Sequence, residues 1–458
     1  MRNFIMFSLM TLLSGCAIGP KYVRPAASIP AAYKESKDWK PARPQDEIIR
    51  GTWWKIFNDP QLDALEREVN ISNQNIAQAQ AQYAQAYALV QAAKSSFFPI
   101  LTTNASYTRS HGASGSKSAS SQTVLGADVS WELDLWGRIR RQIEANRANA
   151  QASAADLENV RLSAQAQLAQ DYFQLCSMDT QKKILDGTIA IFQKFLKLTK
   201  DRHASGVASE SDVIQAQTQL EGTQAQEIDI GVTRAQFEHA IALLIGKPAS
   251  DFSIPSLALP GIVPSVPTGL PSQLLERRPD IAATEKTVAA ANALIGVAES
   301  AYFPTLTLSA SGSYESSNLS RIFSSPNPLW SVGPALAETI FDAGLRKAQT
   351  AQARAVYDAD VASYRQTVLT AFEQVEDNLA ALRILEEEAQ IQDEAVKDAK
   401  KAVMLETDQY KAGTVSALDV INIQATALTD EKTAATILGE RLNACVLLIQ
   451  YLGGGWRE

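Results

Sequence analysis

Cysteine and histidine are nearly missing from this 458-residue chain, which has three of each. Cys176 and Cys445 sit in apolar helical sequence, where they read as buried thiols rather than a disulfide framework or metal ligands. His111, His203 and His239 are scattered without ligand spacing, so no metal site is indicated. No nucleophile, base and orienting group cluster together, which sets an enzyme aside. Long apolar runs are also lacking: the run at Phe4 to Leu13 is too short to span a bilayer. A net charge of −8 argues against nucleic-acid binding. Finally, helix breakers are missing from whole stretches: between Pro60 and Ser96, from Gly137 to about Ala204 apart from Gly187, and from Gly344 to about Ala412. Each of these predicts a helix, and the two longest would reach roughly 100 Å at ~1.5 Å per residue.

The amino terminus carries a basic start, the short apolar run, and Leu13-Ser14-Gly15-Cys16. This order makes residues 1–15 a secretory signal. It also makes Cys16 the site of a bacterial lipobox, where the thiol takes a diacylglycerol and the new amino terminus an acyl chain. Ala17 follows where an Asp would favour inner-membrane retention, which points to the outer membrane. Residues 16–60 then form an extended arm carrying Pro20, Pro25, Pro30, Pro41 and Pro44.

The body of the chain is a duplication. Gly137, Gly206, Asp212, Gln217 and Gly246 recur 207 residues later as Gly344, Gly413, Asp419, Gln424 and Gly453. Phe98-Pro99 recurs 205 residues later as Phe303-Pro304, so a two-residue slip lies between Pro99 and Gly137, where the loop from His111 to Ser121 accommodates it. Residues 61–250 form the first repeat, 251–271 a Pro-rich linker and 272–455 the second repeat. Gly206 and Gly413 suit helix C-caps, followed by helices from about Ser209 to Ile245 and Ser416 to Leu452. Val361, Tyr364, Val368, Phe372, Val375, Leu379 and Leu382 step by three and four residues, and Leu185, Ile189, Phe192 and Leu196 continue the theme in the first copy. That spacing is a coiled-coil seam.

Four segments have a period of two instead. Leu101, Thr103, Ala105 and Tyr107 alternate with Thr102, Asn104, Ser106 and Thr108; Leu125, Ala127, Val129, Trp131 and Leu133 with Gly126, Asp128, Ser130, Glu132 and Asp134; and Leu306 to Tyr314 with Thr305 to Ser313. The fourth, Leu329 to Phe341, is less regular, and Pro334 and Glu338 predict a bulge or strand end. One apolar and one polar face suit a membrane barrel. Four strands cannot enclose water and lipid tolerates no open edge, so the strands must close with those of other copies, three copies giving twelve strands and a lumen.

Several motifs carry a resemblance: Trp53 to Leu62, Leu275 to Ile281, Leu133 to Arg138 with its echo Phe341 to Gly344, and Leu452 to Trp456. Together they resemble the lipoprotein branch of the TolC-like outer-membrane efflux factors. The resemblance implies a mixed α and β membrane protein, mainly α. It would be a homotrimer whose twelve-stranded outer-membrane barrel continues into a long periplasmic helical barrel. Such ducts serve tripartite systems with an inner-membrane resistance-nodulation-division pump and a periplasmic adaptor, carry no cofactor, and pass small toxic compounds outward. Protein or peptide export is a second reading, and a purely structural coiled-coil lipoprotein a third; the latter does not explain the four alternating segments. Gly413 to Asn422 resembles the family's helix-turn segment, where acids three residues apart can ring the pore. This makes Asp419 and Asn422, with Asp212 and Gln215 in the first copy, the candidate pore and gating residues. Asn422 is an amide, and Asp419 reads equally as a helix cap.

Overall fold

The computed structural model describes residues 17–30, 32–35, 51–111, 119–266, 277–324 and 328–454. Cys16, the signal segment, residues 112–118 of the Gly/Ser loop, the end of the linker and Trp456 lie outside these described residues. The described elements run α1 (Pro60–Ser72), α2 (Gln74–Ser95), β1 (Ile100–Ser110), β2 (Ser120–Leu133), α3 (Arg138–Ala204), α4 (Glu210–Leu244), α5 (Pro279–Ser300), β3 (Thr305–Ser316), β4 (Pro328–Ala337), α6 (Leu345–Ala412) and α7 (Ala417–Tyr451). The duplication is visible in this order. The repeated glycines mark its boundaries: Gly137, Gly206, Gly246, Gly344, Gly413 and Gly453 all have positive φ, a conformation in which a Cβ is strained. Each ends or precedes a helix, so the sequence repeat is a repeat of helix boundaries.

The chain folds as two units that each draw on several segments. The first unit comprises 1–27, 81–154 and 283–366 and contains one antiparallel sheet in the order β1-β2-β3-β4. Its register puts Leu101 opposite Val129, Val129 opposite Ala310, and Ala310 opposite Val332. The apolar alternates of all four strands therefore share one face, and Thr102, Asp128, Ser311 and Ser331 share the other. Partner numbers add to 230 in the first hairpin (Ile100 with Ser130) and to 642 in the second (Thr305 with Ala337). The difference, 412, is 205 plus 207, so the two sequence offsets are also the offsets of the two hairpins. Pro334 sits in ladder opposite Leu308 without a bulge. The strand stops at Ala337, directly before Glu338, as the broken alternation predicts.

The second unit comprises 28–80, 155–282 and 367–458. Phe192, Leu196, Leu220, Tyr410, Val420 and Ile421 belong to one core near the two hairpin turns, and the seam residues Val368, Phe372, Val375, Leu379 and Leu382 are buried. The helix predicted between Pro60 and Ser96 is instead broken at Asn73. There the Asn73 Oδ1 accepts from the Asn75 and Ile76 amides and its Nδ2 donates to the Leu244 carbonyl. A side chain that caps the next helix and ties down another helix end outweighs the helix propensity of its neighbours. Trp53 and Trp54 are fully buried; Trp53 Nε1 donates to Gln165 and Trp54 Nε1 to Asp63. Pro279 opens α5, and Arg278 pairs with Asp280, donates to Gln374 at 2.9 Å and reaches the Tyr451 carbonyl at 3.2 Å. The backbone of Gly453 lies so close to Arg277 that a Cβ there would collide. Two motifs far apart in sequence are thus one structural clamp. Cys176 and Cys445 are buried free thiols.

Candidate channel site

Both helical hairpins end in the same device. Ser209 and Ser416 are N-caps whose hydroxyls accept from the amides of Asp212 and Asp419, while those carboxylates accept from the cap amides at 3.0 Å. This reciprocal capping box satisfies two helix-end donors at once. The Ser416 hydroxyl also donates to Asp419 at 2.7 Å, and these hydrogen bonds hold the Asp419 carboxyl below the ordinary carboxylate range. Asp419 is nevertheless exposed, as are Asn422 one helical turn on and Gln215 in the first copy; Asp212 is half-buried. The capping reading of Asp419 is therefore realised in the chain, and its carboxylate remains open to water. Sequence reasoning missed the neighbouring Arg202, which donates to the Tyr410 carbonyl and lies over the Tyr410 ring at 4.5 Å. The cation–π contact joins the two hairpins. Nothing in the local spacing of either residue marks it, because the contact spans 208 positions.

In the sheet unit the arm is fastened where strands give way to helices. Ile18 N–H donates to the Trp136 carbonyl at 3.1 Å, Arg141 donates to the carbonyls of Ile18 and Gly19, and Asn292 donates to that of Pro20. Gly137 and Gly296 make room: a Cβ on Gly137 would stand 2.8 Å from Ala17 Cα, and Gly19 and Gly296 are backbone to backbone. Further along, Tyr22 and Arg24 both donate to Glu285, at 2.9 and 3.2 Å. Ala17 is thus pinned at the base of the sheet. Aromatic residues gather at that base: Trp136 stacks on Phe303 at 4.9 Å, and Trp131 Nε1 donates to the Phe97 carbonyl. Rings that are apolar at one end and polar at the other are typical of a membrane–water boundary. Among the described residues no helix is long and apolar enough to cross a membrane.

A two-faced sheet with free edges, joined through an aromatic base to very long helices, defines the TolC-like class of outer-membrane channel. The family model "Outer membrane efflux protein" matches residues 65–247 and 270–454, its two stretches falling on the two repeats. The chain belongs to the outer membrane efflux protein family. It is similar to the toluene efflux pump outer membrane protein TtgC of Pseudomonas putida, at 30% identity over 98% of this chain and 94% of that one. It is equally similar to the pyoverdine export outer membrane protein OpmQ of Pseudomonas aeruginosa, at 30% identity over 100% of this chain and 98% of that one. Among solved structures, the outer-membrane channel OprN superposes with a TM-score of 0.89 at 31% identity, covering 96% of this chain and all of that one. The protein is an outer-membrane efflux component, mixed α and β with the helices dominant.

Proposed function

We propose that three copies of this chain form a passive exit duct for small toxic compounds, fed by an inner-membrane proton-driven pump through a periplasmic adaptor. The observation that carries this is the sheet: an apolar and a polar face, with β1 and β4 both unpaired on one side. Lipid cannot satisfy those edges, whereas a ring of copies pairs all of them. Twelve strands leave a water-filled lumen and eight do not. Asp419, Asn422, Asp212 and Gln215 line the periplasmic entrance, with three copies of Asp419 forming a ring that favours cations. Cys16 carries diacylglycerol and an N-acyl chain. Relatives of equal identity are named for toluene and for pyoverdine, so cargo choice falls to the pump rather than to a lumen lined by Ser, Thr and Asn.

Native mass spectrometry of detergent-extracted protein should show three chains, and planar bilayers should show conductance; a monomer or a silent bilayer defeats the proposal. Asp419→Ala should lower cation preference and weaken block by multivalent cations, whereas Asp408→Ala, whose carboxylate pairs with Lys411 on α6, should do neither. Cys16→Ser should abolish labelling by a radioactive fatty acid while trimers still form. Retained label would show that the acyl chains are elsewhere.

A further inference from the structure

The duplication fixes more than the number of strands. Inside the chain, the last strand of the first copy (β2) lies beside the first strand of the second copy (β3), and their partner numbers add to 439, as in Asp128 with Ser311. Between neighbouring chains, the last strand of the second copy (β4) must lie beside the first strand of the first copy (β1). These are the same two strand types meeting in the same order. The two hairpins also share one register once the offsets of 205 and 207 are applied. The helices that follow repeat as well, α4 and α7 each having 35 residues behind matching capping boxes. Carrying the inner junction to the outer one adds 207 for β2 onto β4 and subtracts 205 for β3 onto β1.

Resting on the trimer reading above, we infer that β4 of one copy pairs antiparallel with β1 of the next in the register whose residue numbers add to 441. Ser106 then stands opposite Ala335 of the next copy, and Ala105 opposite its Leu336. Side-chain direction agrees with this assignment. Ala105 belongs to the apolar face with Leu125 and Tyr314, and Leu336 shares that face through its pairing with Leu306. A slip by one residue would turn every apolar side chain into the lumen, so only registers of this parity are open. Exposure agrees too. Leu101 and Leu336, whose counterparts Leu306 and Val129 are partly covered inside the chain, are 67% and 68% exposed here. Phe98 at the foot of β1 is 68% exposed, against 38% for its repeat partner Phe303. The uncovered surface is what the outer junction would bury.

Paired cysteines test the register in the full-length protein extracted from membranes. Ser106→Cys with Ala335→Cys, and separately Ala105→Cys with Leu336→Cys, represent the assigned pairing. Ser106→Cys with Gly333→Cys and Ser106→Cys with Ala337→Cys represent slips of two residues either way. Directly opposed residues lie within disulfide reach, whereas a two-residue slip sets Cα atoms about 7–8 Å apart, beyond it. Under mild oxidation the assigned pairs should give inter-chain dimers and trimers on non-reducing gels, about tenfold or more faster than either slipped pair. Fastest cross-linking of a slipped pair in a trimeric protein overturns the register and leaves the trimer intact. A trimer that cross-links at none of the pairs overturns the β4–β1 junction itself. A monomer overturns both the register and the trimer. Two assigned pairs are used so that one misfolded variant does not decide the outcome.

Discussion

The two corners where strand gives way to long helix are built from the same sequence and finished differently. In the first copy, Asp134 accepts from the Ile139 and Arg140 amides at 3.0 Å, Trp136 stacks on Phe303, and Trp136 Nε1 donates to the Pro304 carbonyl at 2.7 Å. Gly137 then receives the arm at Ala17. In the second copy, Asp342 accepts from the Arg346 amide, the counterpart of Ile139, and from the Gly344 amide instead of the counterpart of Arg140; the corner is one residue shorter and nothing replaces Trp136. Ile340 and Phe341 are each 85% exposed, and nothing lies within 4 Å of a Cβ added at Gly344. The acid that starts the helix is local chemistry and is copied. The cover over the corner is tertiary, supplied in the first copy by the chain itself and left open in the second.

The largest contrast should come from the corner glycines. Both have positive φ, 82° at Gly137 and 92° at Gly344, so valine at either costs roughly 1–2 kcal/mol of backbone strain. Gly137→Val adds a collision with Ala17 and should destabilise by about 3 kcal/mol or more, releasing the arm to protease. Gly344→Val should show the strain alone. Equal melting temperatures and equal arm protection in the two variants would break the comparison.

Next in size is the aromatic cover. Trp136→Ala removes the stack and a hydrogen bond and should cost about 2–3 kcal/mol of folding stability. Phe341→Ala, at an exposed position, should change the fold of the single chain by less than about 0.5 kcal/mol. Its effect should appear in the assembly, as dissociation of trimers at lower temperature in detergent gels. If Phe341→Ala leaves the trimer as resistant as the parent, no neighbour covers that corner.

These contrasts also show what the sequence can say. Helix stops, capping boxes and strand alternation are short-range, so Gly206, Gly413, Ser416 and the Leu306 to Tyr314 alternation announce themselves within a few residues. The duplication then extends local reading to long range, since the two offsets measured on glycines and on Phe-Pro carry over to the ladder register. Asn73 was not legible, because its decisive bond is to the Leu244 carbonyl, 171 positions away. Nor was the Arg202–Tyr410 contact. For Asp419 the residues allowed a cap or a pore acid; the fold gives it the cap, and the pore role depends on neighbouring copies.

The smallest expected effect lies where the copies are most alike, at the hairpin caps. Ser209→Ala and Ser416→Ala each remove an N-cap hydroxyl and should each cost about 1 kcal/mol. The two costs should agree, because both boxes use the same hydroxyl-to-amide and carboxylate-to-amide bonds. Acid offers an independent handle on the second cap. The Asp419 carboxyl is held below its ordinary value of 3.8 chiefly by the Ser416 hydrogen bonds, so its contribution is complete above that value and disappears as pH falls through the lower, folded-state value. Protection of the amides at the start of α7, taken relative to unfolded exchange at the same pH, should therefore fall below about pH 4 in the parent. In Ser416→Ala the protection should already be lower at neutral pH and less sensitive to acid. A variant whose protection still falls in acid as steeply as the parent's would mean that Asp419 draws its low proton affinity from something other than the cap.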